Sequence, residues 1–141
     1  MRMAQFKRFL AGGETLRVYH GNKLAFTSVR DRLLPWLDYF NRFARRPLPP
    51  VVVFDKIAGN AAALLAVRAG CAEIYSPLGS RHAVKTLTEH GVRHHLGRVE
   101  PYIIRADGEG ICSMEAMSLG KGPEEFYLRL VRIITPEAGV R

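Results

Sequence analysis

The stretch of chain that decides the fold runs from residue 51 to residue 63 and reads Val51-Val52-Val53-Phe54-Asp55-Lys56-Ile57-Ala58-Gly59-Asn60-Ala61-Ala62-Ala63. Its first four residues are all apolar, which is typical of a strand that helices cover on both faces. The small residues that follow predict a helix from Ala58 to Ala69, ended by Gly70. A doubly covered strand leading into a helix indicates an α/β protein.

Strands and helices alternate on both sides of this stretch. Two alternating runs around Gly21-Asn22 predict a β-hairpin, because a two-residue turn of this type joins antiparallel strands. Pro35 is placed in the first turn of the next helix, where its missing N–H costs nothing. The predicted helices are 3–11, 31–44, 58–69, 80–90, 111–119 and 123–134. The predicted strands are 15–20, 23–28, 51–54 and 72–75. Residues 92–96 and 101–105 form either one broken strand or two separate strands.

This order of elements predicts one domain over residues 1–141, without an internal boundary or repeat. The N-terminal helix lies within residues 1–13, and a C-terminal helix and tail occupy residues 123–141. We expect a three-layer α/β/α architecture around a mixed, roughly five-stranded sheet.

Composition excludes several classes of protein. The chain has 141 residues, 48% of them hydrophobic, which is ordinary for a globular domain and argues against disorder. No apolar run reaches the roughly 18–20 residues of a membrane span, and no apolar segment after the basic start forms a secretory signal. The two cysteines lie far apart and fit a reducing compartment, so we expect a cytoplasmic protein without membrane association.

Basic residues are concentrated in the first third of the chain. Residues 1–50 hold ten Lys or Arg and three Asp or Glu, whereas the whole chain has a net charge of +8. Arg42, Arg45 and Arg46 fall at the end of the predicted second helix. They either neutralise the negative end of its dipole or form part of a nucleic-acid surface. Binding of nucleic acid or protein without catalysis is therefore an alternative function, which we do not favour.

Asp55 and Lys56 end the apolar strand and precede a helix. Ligands of open α/β sheets bind at the carboxyl ends of strands, and helix N-termini favour anions. Asp55 is thus a candidate base or hydrogen-bond acceptor, Lys56 a candidate anion ligand, and Gly59 a position that allows close approach. The alternative is that Asp55 caps the helix and Lys56 faces solvent.

Cys112 is a second candidate catalytic residue. It follows a Gly-rich turn and opens a short predicted helix, where a thiol is activated by the helix N-terminus. Glu115 follows one turn later as a candidate acid, base or ligand contact. The alternative is that Cys112 is a small buried apolar residue, as most free cysteines are.

Metal and cofactor motifs are absent from the sequence. It contains no phosphate-binding glycine motif and no His-Glu-x-x-His or Cys-x-x-Cys. His94 and His95 are adjacent on a predicted strand and therefore point to opposite faces. We expect no metal and no cofactor.

Several segments together resemble a known family. They are Asp55-Lys56-x-x-Gly59-x-Ala61-Ala62-Ala63, Ser76-Pro77, Pro101-Tyr102-Ile103-Ile104 and Cys112-x-Met114-Glu115. The chain resembles a small prokaryotic domain-of-unknown-function family of the cytidine-deaminase-like superfamily. The resemblance implies a cytidine deaminase-like, three-layer fold around a five-stranded mixed sheet.

The same resemblance does not imply deaminase chemistry. Zinc deaminases begin one helix with His-x-Glu or Cys-x-Glu and the next with Pro-Cys-x-x-Cys. Here the corresponding segments are Ser28-Val29-Arg30-Asp31 and Asp55-Lys56-Ile57-Ala58, which contain no His or Cys. The implied geometry is two helix N-termini that converge on strand ends, with Arg30 beside Asp55 and Lys56.

We therefore expect a small, anionic or nucleotide-like molecule to bind around Asp55 and Lys56. Lys56 and Arg30 would hold the anion, while Cys112 and Glu115 would lie at the rim. Whether the protein is an enzyme is left open at this point, and an enzyme that depends on Cys112 is a further alternative.

Overall fold

The computed structural model describes residues 2–134 as a five-stranded sheet with six helices. The predicted tail beyond residue 134 lies outside the described residues. The strands are β1 (Leu16–His20), β2 (Lys23–Ser28), β3 (Val51–Asp55), β4 (Cys71–Ser80) and β5 (Arg93–Glu100). The helices are α1 (Arg2–Ala11), α2 (Leu34–Arg42), α3 (Asn60–Arg68), α4 (Arg81–Glu89), α5 (Ser113–Ser118) and α6 (Pro123–Ile134).

The sheet is mixed, with the strand order β2-β1-β3-β4-β5. β1 pairs antiparallel with both β2 and β3, whereas β3, β4 and β5 run parallel. The predicted hairpin is confirmed, and Gly21 adopts a φ of 65° in its turn, a conformation that glycine adopts without strain. The expectation of a mixed, roughly five-stranded α/β sheet is confirmed.

β3 is buried along its whole length, as its apolar run predicts. Val51 and Val53 belong to the larger core, which the sheet shares with α2, α3, α4 and α6. Val52 and Phe54 point to the opposite face, where they meet the aromatic side chains of α1. β3 is therefore a central strand that contributes side chains to a hydrophobic core on each face of the sheet.

β4 and β5 differ from the predicted strands. β4 extends through Pro77 to Ser80, because residues 78–80 continue the parallel pairing with β5. The Ser76 hydroxyl bonds the backbone of Leu78 on the far side of the proline. β5 is one strand that ends at Glu100. The predicted second part, residues 101–105, leaves the sheet and keeps one bridge, between Ile104 and Ile111.

Two predicted helix-start signals are confirmed. Pro35 lies in the first turn of α2, and the Ser80 hydroxyl caps α4 by accepting the Ala83 N–H at 3.1 Å.

No helix of the described residues is long and apolar enough to cross a membrane.

Candidate functional site

A groove opens at the carboxyl ends of the parallel strands. It encloses about 290 Å³ and is bounded by the segment that follows β3, the end of β4, the end of β5 and the segment after β5. Its lining residues are Ile57, Leu78, Arg98, Glu100, Tyr102, Ile103 and Ile104. Parallel α/β sheets bind ligands at this edge, and the groove is near the lower end of the size range of small-molecule sites.

The groove has apolar walls and a polar rim. Ile57 and Ile104 are about half exposed, and Tyr102 is 38% exposed. At the rim, the Arg98 guanidinium donates to the Glu100 carboxylate, while 77% of the Arg98 side chain stays exposed. A guanidinium has five N–H donors, so this ion pair leaves several free for a ligand.

The carboxylate of Glu115 holds the wall of the groove that contains Ile103. It is 2% exposed and accepts two backbone N–H groups, that of Asn60 at 2.5 Å and that of Ile103 at 2.8 Å. Asn60 is the first residue of α3, so the negative charge lies at the positive end of the helix dipole. Glu115 therefore joins α3, α5 and the segment after β5.

Asn60 extends this polar cluster to two more elements. Its side-chain amide donates to the Ser118 hydroxyl at 3.0 Å, and its carbonyl accepts from the Thr86 hydroxyl of α4. The Ser118 hydroxyl donates to the Glu115 carbonyl at 2.6 Å. Within residues 2–134, no buried side-chain nitrogen or oxygen atom is without a partner. The cluster is fully satisfied and therefore holds a fixed geometry.

Gly59 lies directly under the groove wall. A Cβ atom at this position would be 2.6 Å from Ile103 Cγ1 and 3.0 Å from a Glu115 oxygen. The glycine was expected to allow close approach, and the structure shows which groups approach it. They belong to the chain itself, the side chains of Ile103 and Glu115.

Asp55 lies next to the groove but points into the core. Its carboxylate is buried and accepts the Trp36 indole N–H at 3.0 Å and the Ile57 backbone N–H at 3.3 Å. Burial raises the pKa of Asp55 to about 7, although both hydrogen bonds act in the opposite direction. Asp55 thus links α2 to the residue that begins the groove.

Lys56 points to the other side of the sheet. Its ammonium group donates to the carbonyls of Leu10 and Gly12, each at 3.2 Å, and lies 5.0 Å from the ring centroid of Phe9. It therefore caps the C-terminus of α1. The sequence predicted Asp55 and Lys56 at one crevice, but consecutive residues of an extended segment point in opposite directions.

Arg30 is also occupied by the chain itself. Its guanidinium donates to both oxygens of Asp38, at 3.0 and 2.8 Å, on the exposed side of α2. Arg30, Lys56 and Asp55 thus share no partner, and the structure does not bring their side chains together.

Cys112 is connected to the groove wall through its backbone. It precedes α5, is partly buried, and donates its backbone N–H to the Ile103 carbonyl at 2.8 Å. Cys71 is buried in the core, and its burial raises the pKa of that thiol to about 12, as suits a structural cysteine. Of the predicted site residues, the structure brings Gly59, Cys112 and Glu115 together around Ile103.

The basic residues at the end of α2 and after it make local contacts. Arg46 donates to the carbonyls of Arg68 and Val67 at the end of α3, at 3.0 and 3.3 Å. The Arg42 guanidinium lies 5.5 Å from the ring centroid of Phe43. Both arginines are exposed, and these contacts do not test the predicted alternative of nucleic-acid binding.

Sequence reasoning missed the groove residues themselves. Arg98 and Glu100 fall between the two parts of the predicted broken strand, and Ile103-Ile104 fall within its second part. One signal was available, because a proline at position 101, shortly before Ile103 and Ile104, marks a chain that leaves its sheet while it is still apolar. Within residues 2–134, no group of three or more His, Cys, Asp or Glu side chains is placed to hold a metal ion.

The fold and groove define an α/β domain with a small cleft at the carboxyl edge of its parallel strands. The model of the TM1506 family, a domain of unknown function (DUF1893), matches residues 5–133, so the chain belongs to this family. It is similar to the crystal structure of a DUF1893 family protein, TM1506, from Thermotoga maritima. The two are 25% identical with a TM-score of 0.81, over 92% of this chain and 87% of the other. None of the curated proteins matches the chain.

The buried Asp55 predicts a pH dependence of stability. Its pKa in the folded state, about 7, lies above the ordinary 3.8, so the folded state binds the extra proton. The stabilising contribution is complete below about pH 4 and is lost as the pH rises through 7. We expect the free energy of unfolding of the wild type, relative to Asp55→Asn, to fall between pH 5 and 8 in urea titrations. A difference that stays constant over this range would contradict the assignment.

The two-acceptor role of Glu115 predicts the effect of an isosteric change. In Glu115→Gln one acceptor becomes an NH₂ group that faces a backbone N–H, so we expect a loss of roughly 1–3 kcal/mol of unfolding free energy. The control is Glu109→Gln in the same segment, whose exposed side chain should cost less than about 0.5 kcal/mol. Equal midpoints in urea for the two variants would show that Glu115 does not hold this wall.

Proposed function

We propose that this protein binds a small, anionic, nucleotide-like molecule in the groove at the carboxyl ends of β3, β4 and β5. The observation that carries the proposal is the combination at one cleft of an aromatic ring, apolar walls and a largely exposed guanidinium. A planar base would lie against Tyr102 between Ile57 and Ile104. Arg98 would pair with a phosphate, and Glu100 would accept N–H groups of the base.

The predicted residues have supporting roles in this proposal. Arg98 replaces Lys56 and Arg30 as the anion ligand, because the charged groups of those two residues already bind Leu10, Gly12 and Asp38. Asp55, Gly59 and Glu115 position the segments that form the groove. Cys112 is partly buried and its backbone bonds Ile103 of the wall, so a ligand that stabilises the wall would slow access to its thiol.

We further propose that the domain is cytidine deaminase-like in fold without zinc deaminase chemistry. The residues that open α2 and α3 support this proposal, because Leu33-Leu34-Pro35 and Ala58-Gly59-Asn60 contain none of the zinc ligands that such enzymes place there. Binding is the function that the groove supports, and we assign no reaction to it.

Calorimetric titration with AMP, GMP, CMP and UMP, with their nucleosides and with ribose 5-phosphate tests the groove. We expect at least one nucleotide to bind more tightly than its nucleoside and than the sugar phosphate. Arg98→Gln should weaken the nucleotide about tenfold and leave the nucleoside unchanged, because a charge-assisted hydrogen bond is worth about 1.5–3 kcal/mol. Tyr102→Ala should weaken both, by about 1–3 kcal/mol of stacking.

The matched control is Arg93→Gln, which removes the same charge from the same strand outside the groove. The affinity of this variant for the nucleotide should equal that of the wild type. The proposal fails if none of the compounds binds at about 1 mM, or if Arg98→Gln and Arg93→Gln bind the nucleotide equally tightly.

Cys112 labelling by iodoacetamide, with and without nucleotide, adds a second measurement. We expect slower labelling in the complex, and a rate unchanged by bound nucleotide would place the ligand elsewhere.

A further inference from the structure

A basic surface lies at the edge of the sheet where the parallel strands begin. His20 ends β1 and pairs with Val51, the first residue of β3, so the hairpin turn lies at this edge. The end of α2 packs beside the turn, because the ring centroids of His20 and Phe43 are 4.8 Å apart. The groove lies at the opposite edge, where β3, β4 and β5 end. The two surfaces are therefore separate.

Basic side chains from several segments come together around His20 and Phe43. The Arg42 guanidinium lies 5.5 Å from the Phe43 ring centroid, and Arg45 and Arg46 line one cleft with Phe43. Lys23 is paired with His20 across the hairpin. The basic surface is thus formed by the hairpin, the end of α2 and the linker to β3, and its cations are Lys23, Arg42, Arg45 and Arg46.

No carboxylate of the neighbouring segments opposes these charges. Residues 15–30 and 39–54 contain no Asp or Glu, and Asp38, one turn before Arg42, binds Arg30 instead. Lys23, Arg42 and Arg45 are exposed, and none of them takes part in an ion pair within residues 2–134. In the part of the chain that the structure describes, their positive charge is therefore not neutralised.

Arg46 differs from the other cations of the basic surface. Its Nε and Nη2 atoms donate to the carbonyls of Arg68 and Val67, at 3.0 and 3.3 Å, and so neutralise the negative end of α3. Neutralising a helix end therefore accounts for Arg46. It leaves Lys23, Arg42 and Arg45 as the cations that a partner would contact.

We propose that the basic surface binds the phosphate backbone of a nucleic acid strand, RNA or DNA, without reading the base sequence. The planar donor fork of a guanidinium matches the geometry of a phosphate, and Arg42 and Arg45 present two such forks within four residues. A locally unbalanced positive surface attracts a polyanion from solution. This binding does not depend on the proposed function, because the groove and the basic surface share no residue.

The character of the surface favours nucleic acid over a protein or a membrane. The centres of protein–protein interfaces are poor in charged residues, whereas nucleic-acid interfaces are strongly positive. A membrane-binding helix inserts a whole face of apolar side chains. Here the exposed large apolar residues beside the cations are Leu24 and Leu48, which come from different segments.

Fluorescence anisotropy of the full chain with labelled oligouridine and oligothymidine tests the proposal. Three phosphate contacts at about 0.7 each predict a slope of about −2 for the logarithm of affinity against that of salt, between about 50 and 200 mM. RNA and DNA should bind within about threefold of each other, because their phosphates are alike.

Single variants locate the contact. Arg42→Gln and Arg45→Gln should each weaken binding about five- to tenfold at about 50 mM salt and make the slope shallower by about 0.7, because each removes one phosphate contact. Arg81→Gln is the matched control, since Arg81 is an exposed arginine that follows the carboxyl end of β4. It and the groove variant Arg98→Gln should bind the oligonucleotides like the wild type.

Competition distinguishes nucleic acid from other anions. Polyglutamate and vesicles of phosphatidylglycerol and phosphatidylcholine should displace the oligonucleotide far less well than unlabelled oligouridine does. Equal displacement by either would assign the surface to an acidic protein or to a membrane. The proposal is also overturned if no oligonucleotide binds at about 50 mM salt, if the slope is near zero, or if Arg81→Gln weakens binding as much as Arg42→Gln.

The groove and the basic surface can fail independently. A wild type that binds oligonucleotides but no mononucleotide refutes the proposed function alone. A wild type that binds a mononucleotide but no oligonucleotide refutes the basic surface alone. The double variant R42Q/R45Q should lose the oligonucleotide and keep the affinity of the groove for its nucleotide.

Discussion

A buried carboxylate at the start of a helix organises the carboxyl end of the parallel strands. Glu115 holds the N–H groups of Asn60 and Ile103 with its two oxygens, and so fastens the segment after β5 onto α3. A buried charge is tolerated where hydrogen bonds and a helix dipole compensate for lost hydration. Without this contact the segment of residues 101–112 would keep only a few backbone bonds, and one wall of the groove would lose its support.

Glu115 also explains why the helix N-terminus predicted as an anion site is closed to ligands. The carboxylate of the chain itself already occupies the start of α3, and Gly59 leaves space for it. The open groove therefore lies one step outward, between the segment after β3 and the segment after β5. The buried Asp55 fixes the first of these segments by its hydrogen bond to Ile57, and Glu115 fixes the second.

Much of the fold could be predicted from the sequence, because local patterns determine it. The apolar run 51–54, the Gly21-Asn22 turn, Pro35 and the Ser80 cap each act within a few residues, and each is where the sequence placed it. The site was harder to predict, since side-chain direction depends on distant partners. Nothing near Lys56 in the sequence indicates that its ammonium group reaches the end of α1, 44 residues earlier at Gly12. Nor does the sequence near Glu115 show that its partner is Asn60.

Amide hydrogen exchange of the wild-type protein measures the Glu115 contact most directly. The N–H groups of Asn60 and Ile103 should exchange as slowly as core amides of β3, because both are held by a carboxylate inside the domain. The N–H of Glu109, in the exposed turn of the same segment, should exchange much faster. Exchange at Ile103 as fast as at Glu109 would contradict the account, because the wall of the groove would then be opening freely.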